Sequence, residues 1–198
     1  MNDTDARVDI GDLPARDRIL RTAHDLFYAE GIRATGIDRV IAASGVTKVT
    51  FYRHFPSKND LMLAYLELRH ERWMGWFTGA LARYGGAEKG AGALIPAMAE
   101  WFGGQALGDF RGCAFLNGVG EIGPVLPEAV EITRRHKQDM TDAIGTLLPA
   151  SRQRRKIAAA LSLAVDGAIV QAQYAGDPVP VLKSLQLIVE RIVEDAAA

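Results

Sequence analysis

The sequence predicts an all-α fold, a small three-helix unit at the N-terminus followed by a larger helical domain. Three observations point that way. Apolar residues recur at helical spacing through most of the 198 residues. Capping patterns, glycine turns and prolines punctuate them. No segment alternates apolar and polar residues in the manner of a half-buried strand.

The elements follow in order. The first helix lies in PARDRILRTAHDLFYAEG, with Ile19, Leu20, Ala23, Leu26 and Phe27 on one face, Pro14 opening it and Gly31 closing it. TGID, Thr35 to Asp38, reads as a capping pattern for a short second helix from Ile37 to about Ser44, with Val40 and Ile41 inward. Gly45 supplies a turn, a third helix runs from about Thr47 to His54, and Pro56 stops it. SKND, Ser57 to Asp60, is a second capping pattern. The fourth helix it opens carries Leu61, Tyr65, Leu68, Trp73, Trp76 and Phe77 and is long enough to pass residue 80. Dense glycines in YGGAEKGAG place a loop near residues 85–92. A long helix is expected from about Pro127 to Leu148, ended by Pro149. Two more follow, one striped by Ile157, Leu161, Val165, Ile169 and Ala172, the other by Leu182, Leu185, Val189, Ile192 and Val193.

Composition narrows the class. Hydrophobic residues make up 48% and charged residues 24%, enough apolar material for a globular core. The opening MNDTDARVDIGDLP is acidic and lacks an apolar core, so it does not read as a secretory signal. The apolar stretch IAAALSLAVDGAIV is broken by Asp166 and too short to span a bilayer, so a cytoplasmic protein with no membrane contact is expected. NDT at Asn2 fits a glycosylation sequon, a chance match without export. The single Cys113 excludes an internal disulfide and a cysteine-cluster zinc site. With no neighbouring cation to lower its pKa, it is expected to be inert packing. No metal or cofactor is expected.

The net charge of −1 conceals an asymmetry. Residues 1–13 carry −3, residues 14–58 carry +4 and residues 59–198 carry −2. The positive block is a local footprint for a polyanion. Within it, two short helices joined at Gly45 describe a helix-turn-helix. In GVTKVTFYRHFPSK, Phe51 and Phe55 stand i,i+4 and, with Val46, anchor the helix. Thr47, Thr50 and His54 form a separate stripe of small hydrogen-bonding groups, flanked by Lys48 and Tyr52. Small polar side chains let a helix enter the major groove, while Lys, Tyr and Arg on its edges reach phosphates. Double-stranded DNA is the expected partner.

TGIDRVIAASGVTKVTFYRHFPSKNDL resembles the DNA-binding domain of the tetracycline-repressor (TetR) family of bacterial regulators over about residues 15–62. The resemblance rests on a Thr-opened second helix, a GV turn, an aromatic–Tyr–x–His–Phe core and SK before the next helix. It implies a homodimeric regulator with a three-helix reading head over residues 14–58; the acidic residues 1–13 before it are expected to be a flexible tail. It also implies a helical effector-binding and dimerisation domain over residues 59–198. By position, Thr35 and Lys58 resemble phosphate contacts, and Thr47, Lys48, Val49, Thr50, Tyr52, Arg53 and His54 occupy positions facing DNA. Val49 departs from the glycine or small residue common there. It either meets a thymine methyl or holds the helix slightly out of the groove.

In the C-terminal half, Trp73, Phe77, Trp101, Phe102, Phe115, Met140 and Tyr174, with polar Asn117, Glu121 and His136, are candidates for lining an effector cavity. Core packing accounts for most of these residues equally well. A mostly apolar or aromatic small molecule is the expected effector, released operator DNA the expected outcome, and the last two helices the expected dimer interface. An enzyme is not expected. GVGEIG, Gly118 to Gly123, formally matches a dinucleotide fingerprint, but Pro124 and Pro127 follow at once and no flanking strand is found.

Overall fold

The computed structural model describes residues 10–197, so most of the acidic segment, and Asn2 with it, lies outside the described residues. A 3-10 turn, Ile10–Asp12, precedes α1 (Ala15–Glu30), α2 (Ile37–Ser44), α3 (Lys48–His54) and α4 (Lys58–Arg83). Then come α5 (Gly86–Lys89), a second 3-10 turn (Gly90–Ala93), α6 (Leu94–Phe102), α7 (Ala114–Ile122), α8 (Pro127–Gly145), α9 (Arg154–Ala172) and α10 (Val179–Ala197). Among the described residues there is no strand, so the fold is all-α as expected.

The elements form two compact units. One holds the described residues up to Arg69 together with Ala114–Ile132; the other holds His70–Cys113 and the residues from Thr133 on. The first of these compact units thus takes in the start of α4 and, from much later in the chain, α7. Glycines hide this helix in the sequence: GVGEIG has no obvious apolar period, yet Gly118 to Ile122 are helical. A Cβ added at Gly118 would stand 3.4 Å from Ile32 Cδ1 and 3.6 Å from Leu66 Cδ2, so α7 packs closely here.

The first unit is built on α1, which buries Ile19, Leu20, Ala23 and Phe27. Tyr65 of α4 sets its ring edge-on to Phe27, centroids 5.4 Å apart. Arg69 is almost fully buried, its guanidinium 4.1 Å over the Tyr28 ring. The start of α4 is fixed by a reciprocal cap. Ser57 N donates to the Asp60 carboxylate at 2.9 Å and Asp60 N donates to Ser57 Oγ at 3.2 Å.

The second unit centres on aromatic rings. Trp73 stacks on Phe77 at 4.6 Å and meets Trp101 edge-on at 5.5 Å, and Trp101 meets Phe110 at 5.2 Å. Beside them, the Glu100 carboxylate accepts from Trp76 Nε1 (2.9 Å), Tyr84 Oη (2.8 Å) and the Arg83 guanidinium (2.8 Å). Burial alone would raise its pKa, but these donors and the Arg83 charge hold it below the ordinary carboxylate value. Glu100→Ala is expected to cost about 1–3 kcal/mol by stranding the Trp76 and Tyr84 donors, read as a lower thermal midpoint. Because the folded pKa is depressed, the wild-type advantage is full above about pH 4.5 and fades as pH falls through the lower folded value.

The glycine-rich segment expected as a loop near 85–92 is instead α5 followed by the 3-10 turn. Its glycines make corners rather than slack: Gly85 at φ +108° and Gly90 at φ +55° reverse the chain on either side of one helical turn. In α9 and α10, Leu161, Val165, Ile169, Leu185 and Val189 of the anticipated stripes are buried within this unit.

Candidate nucleic-acid interface

Gly45 ends α2 in the left-handed region at φ +65°, letting the chain turn at once into α3. Thr47 caps α3: its Oγ1 accepts from Thr50 N at 3.2 Å and lies 2.9 Å from Thr50 Oγ1. Phe51 and Phe55, 0% and 2% exposed, anchor the opposite side. At helical spacing the direction facing away from Phe51 falls between Val49 and Arg53. Val49 is 72% exposed, and Arg53 is exposed with no hydrogen-bond or ion-pair partner among the described residues. Lys48 is exposed, its Nζ 3.4 Å from Asp38. Tyr52 is exposed and sets its ring edge-on to Phe51, while Thr50 and His54 are half-buried. The expected hydroxyl stripe of Thr47 and Thr50 is thus a capping pair, and the centre of the outward face is Val49 and Arg53.

Thr35 requires a correction. It is fully buried, and its hydroxyl donates inward to the Gly31 carbonyl at 2.9 Å, so the side chain offers nothing to a phosphate. Gly36, not Thr35, is the N-cap of α2. What Thr35 provides is its carbonyl, which accepts from Lys58 Nζ at 2.7 Å. Burial lowers the Lys58 pKa, an effect that Glu121 opposes and Arg33 assists.

The candidate effector residues are drawn from both units. Phe115, Asn117 and Glu121 lie on α7 in the first unit, Phe115 buried and Asn117 exposed. Glu121 accepts the Arg33 backbone N–H at 2.8 Å. Trp73, Phe77, Trp101, Phe102, His136 and Met140 are buried in the second unit. There the His136 ring lies 5.0 Å from Trp73, and His136 Nδ1 is 3.3 Å from His70 Nδ1. Trp73 Nε1 is buried with no hydrogen-bond partner among the described residues. Tyr174 is 75% exposed and lines no interior. The same unit carries a cleft of about 690 Å³ lined by polar Gln138, Thr141, Asp142, Arg154 and Arg155 and by Gly145, Ala158 and Ala159, a mixed wall that an apolar stripe does not announce.

Cys113 is buried, as expected, but it does have a cationic neighbour. The Lys137 ammonium pairs with Asp166 at 2.5 Å and is hydrogen-bonded with Cys113. Burial would lower the Lys137 pKa, and these two partners together raise it instead. Among the described residues, no His, Cys, Asp and Glu side chains cluster to hold a metal, and no helix is long and apolar enough to cross a membrane. GVGEIG lies in and just after a helix, with no strand before it, and cannot cradle a dinucleotide.

Residues 19–65 match the family described as bacterial regulatory proteins, tetR family. Across nearly the whole chain, it is 34% identical to SCO4454, a TetR-family transcriptional regulator from Streptomyces coelicolor. That crystal structure superposes with a TM-score of 0.76 over 93% of this chain and 96% of that one. The chain belongs to the TetR family. This TetR-family protein is a transcriptional regulator, a DNA-binding protein rather than an enzyme. The HTH-type transcriptional activator FasR of Mycolicibacterium smegmatis is 40% identical over 55 residues, 28% of this chain and 25% of FasR. The chain spans 25%, 18% and 26% of the first three curated relatives it matches, so those similarities concern only a part of each protein. The fold is also that of the multidrug binding protein EbrR complexed with malachite green, at 20% identity and a TM-score of 0.68 over 90% of this chain and 98% of that one.

Proposed function

We propose that this TetR-family protein is a cytoplasmic, ligand-responsive repressor that grips a palindromic operator as a homodimer and releases it when a small apolar or aromatic molecule occupies the second unit. The observation that carries the reading is the outward face of α3. It presents Val49 and Arg53 at its centre and Lys48 and Tyr52 at its edges, on a helix held from behind by Phe51 and Phe55. Arg53 and Lys48 supply what base edges and phosphates take, a planar donor fork and a point charge.

A seven-residue helix contacts only a few base pairs, so two copies related by a two-fold axis are needed for a specific site. The second copy fits the apolar residues Leu163 and Val170 of α9 and Leu187, Ile188 and Val193 of α10, which the described residues leave exposed. For the effector, the ring cluster around Trp73 and its unpartnered Nε1 donor favour a flat molecule with one hydrogen-bond acceptor. EbrR, which shares the fold, is complexed with malachite green, an aromatic molecule, and this supports an aromatic effector by analogy of fold.

The test is salt-dependent binding to a mixed-sequence duplex by fluorescence anisotropy. Wild-type protein is expected to bind with a steep salt slope, and Lys48→Ala to flatten that slope by about one, weakening binding to all sequences alike. A wild-type slope near zero would remove the DNA-binding reading.

A further inference from the structure

One charged side chain of the reading unit has no part in the scheme above. Glu121 reaches that unit from α7, 88 residues along the chain from its partner. Its carboxylate accepts the Arg33 backbone N–H at 2.8 Å and closes on Gly31, where an added Cβ would stand 3.3 Å from Oε1. Arg33 is held at its other end too, its carbonyl 3.5 Å from Lys58 Nζ. The same ammonium donates to the Thr35 carbonyl at 2.7 Å, just before the α2 N-cap. A carboxylate that takes a backbone N–H at a turn, beside an arginine and a lysine, makes the bonds a DNA phosphate oxygen makes at such a place.

We propose that Glu121 is an internal counter-anion of the reading unit, holding the turn between α1 and α2 and drawing on Lys58 where a DNA phosphate would otherwise do so. The proposal rests on the DNA-binding reading. Glu121 touches no DNA in it; it is a positioning residue that acts through Arg33 and Lys58. Its negative charge lies within a Debye length of Lys58, so it subtracts from the attraction that the exposed cations of α3 and the start of α4 exert on a duplex. The field of Glu121 on Lys58 agrees in sign, opposing the loss of charge that burial imposes.

Glu121→Gln separates the charge from the bond, because the amide oxygen still accepts from Arg33 N. Anisotropy with a labelled mixed-sequence duplex is measured across salt for wild type, E121Q, K58A and the double variant, each with its helical spectrum and thermal midpoint. E121Q is expected to bind about three- to tenfold more tightly at low salt, with a slope steeper by about one as Lys58 turns to a phosphate. In the K58A background the same change is expected to give less than about a third of that gain. Binding unchanged or weakened by E121Q overturns the proposal. An equal gain with and without Lys58 also overturns it, reducing the effect to general charge. Absence of binding by every protein, wild type included, overturns the DNA-binding reading and the counter-anion with it, so the two failures are told apart.

Discussion

Glutamate in place of both Leu163 and Leu187 should leave the chain folded but monomeric, with operator affinity lower by about a hundredfold to ten-thousandfold. Leu163 is 75% exposed and Leu187 57% exposed, on two helices that pack against each other within the second unit. Neither contributes to that unit's own core, which Leu161, Val165, Ile169, Leu185 and Val189 fill, so its stability should change little. A carboxylate placed in an apolar contact between two copies must be desolvated without a partner, which cost removes the dimer. Two reading units no longer tethered then bind their half-sites independently. Sedimentation shows the mass, and binding to the selected operator shows the affinity. A double variant that remains dimeric would place the interface elsewhere.

Phe51→Ala should have the largest effect on folding. The ring is 0% exposed, 6.2 Å from Phe55 and 5.3 Å from Tyr52, and it is the only buried residue of α3. Removing it is expected to cost about 3–5 kcal/mol, from lost transfer free energy and the cavity left behind. That is a large share of the roughly 5–15 kcal/mol of a whole domain. Because only Phe55, at its C-cap, then remains to anchor α3, the loss should appear as disordering of the reading unit and abolished DNA binding, while the ring cluster of the second unit keeps its near-ultraviolet signal. Circular dichroism on heating checks this. An unchanged midpoint with normal operator binding would mean that α3 is held by something other than this ring.

The local grammar of the chain was legible because it is written in adjacent residues. Ser57 and Asp60 cap each other as their spacing implies, Gly45 takes the left-handed turn, and Thr47 caps α3. Thr35 shows where that grammar misleads: the same Thr-x-x-Asp spacing is present, but its side chain is buried under α1 and Gly36 caps instead. Helical stripes on α9 and α10 were equally legible as apolar faces. A sequence does not say whether such a face is covered by its own chain, as Leu161 and Val165 are, or left open like Leu163. Hardest of all are pairs made by the fold. Glu121 with Arg33, and Lys137 with Cys113, join residues far apart in sequence, and neither partner carries a pattern that announces the other. The packing of α7 with the reading unit is of the same kind, since no local pattern in GVGEIG announces it.

The account depends above all on α3 lying in a major groove with its twin one helical turn away, or a multiple of one. Selection of bound duplexes from a random pool measures this most directly, run with wild type and with Val49→Gly. The expected result is a palindrome whose half-site centres are about 34–36 Å apart or a multiple, with one symmetric pair of A·T preferences lost in V49G as the contact with a thymine methyl disappears. Enriched sequences without two-fold symmetry, or no enrichment at all, would contradict it.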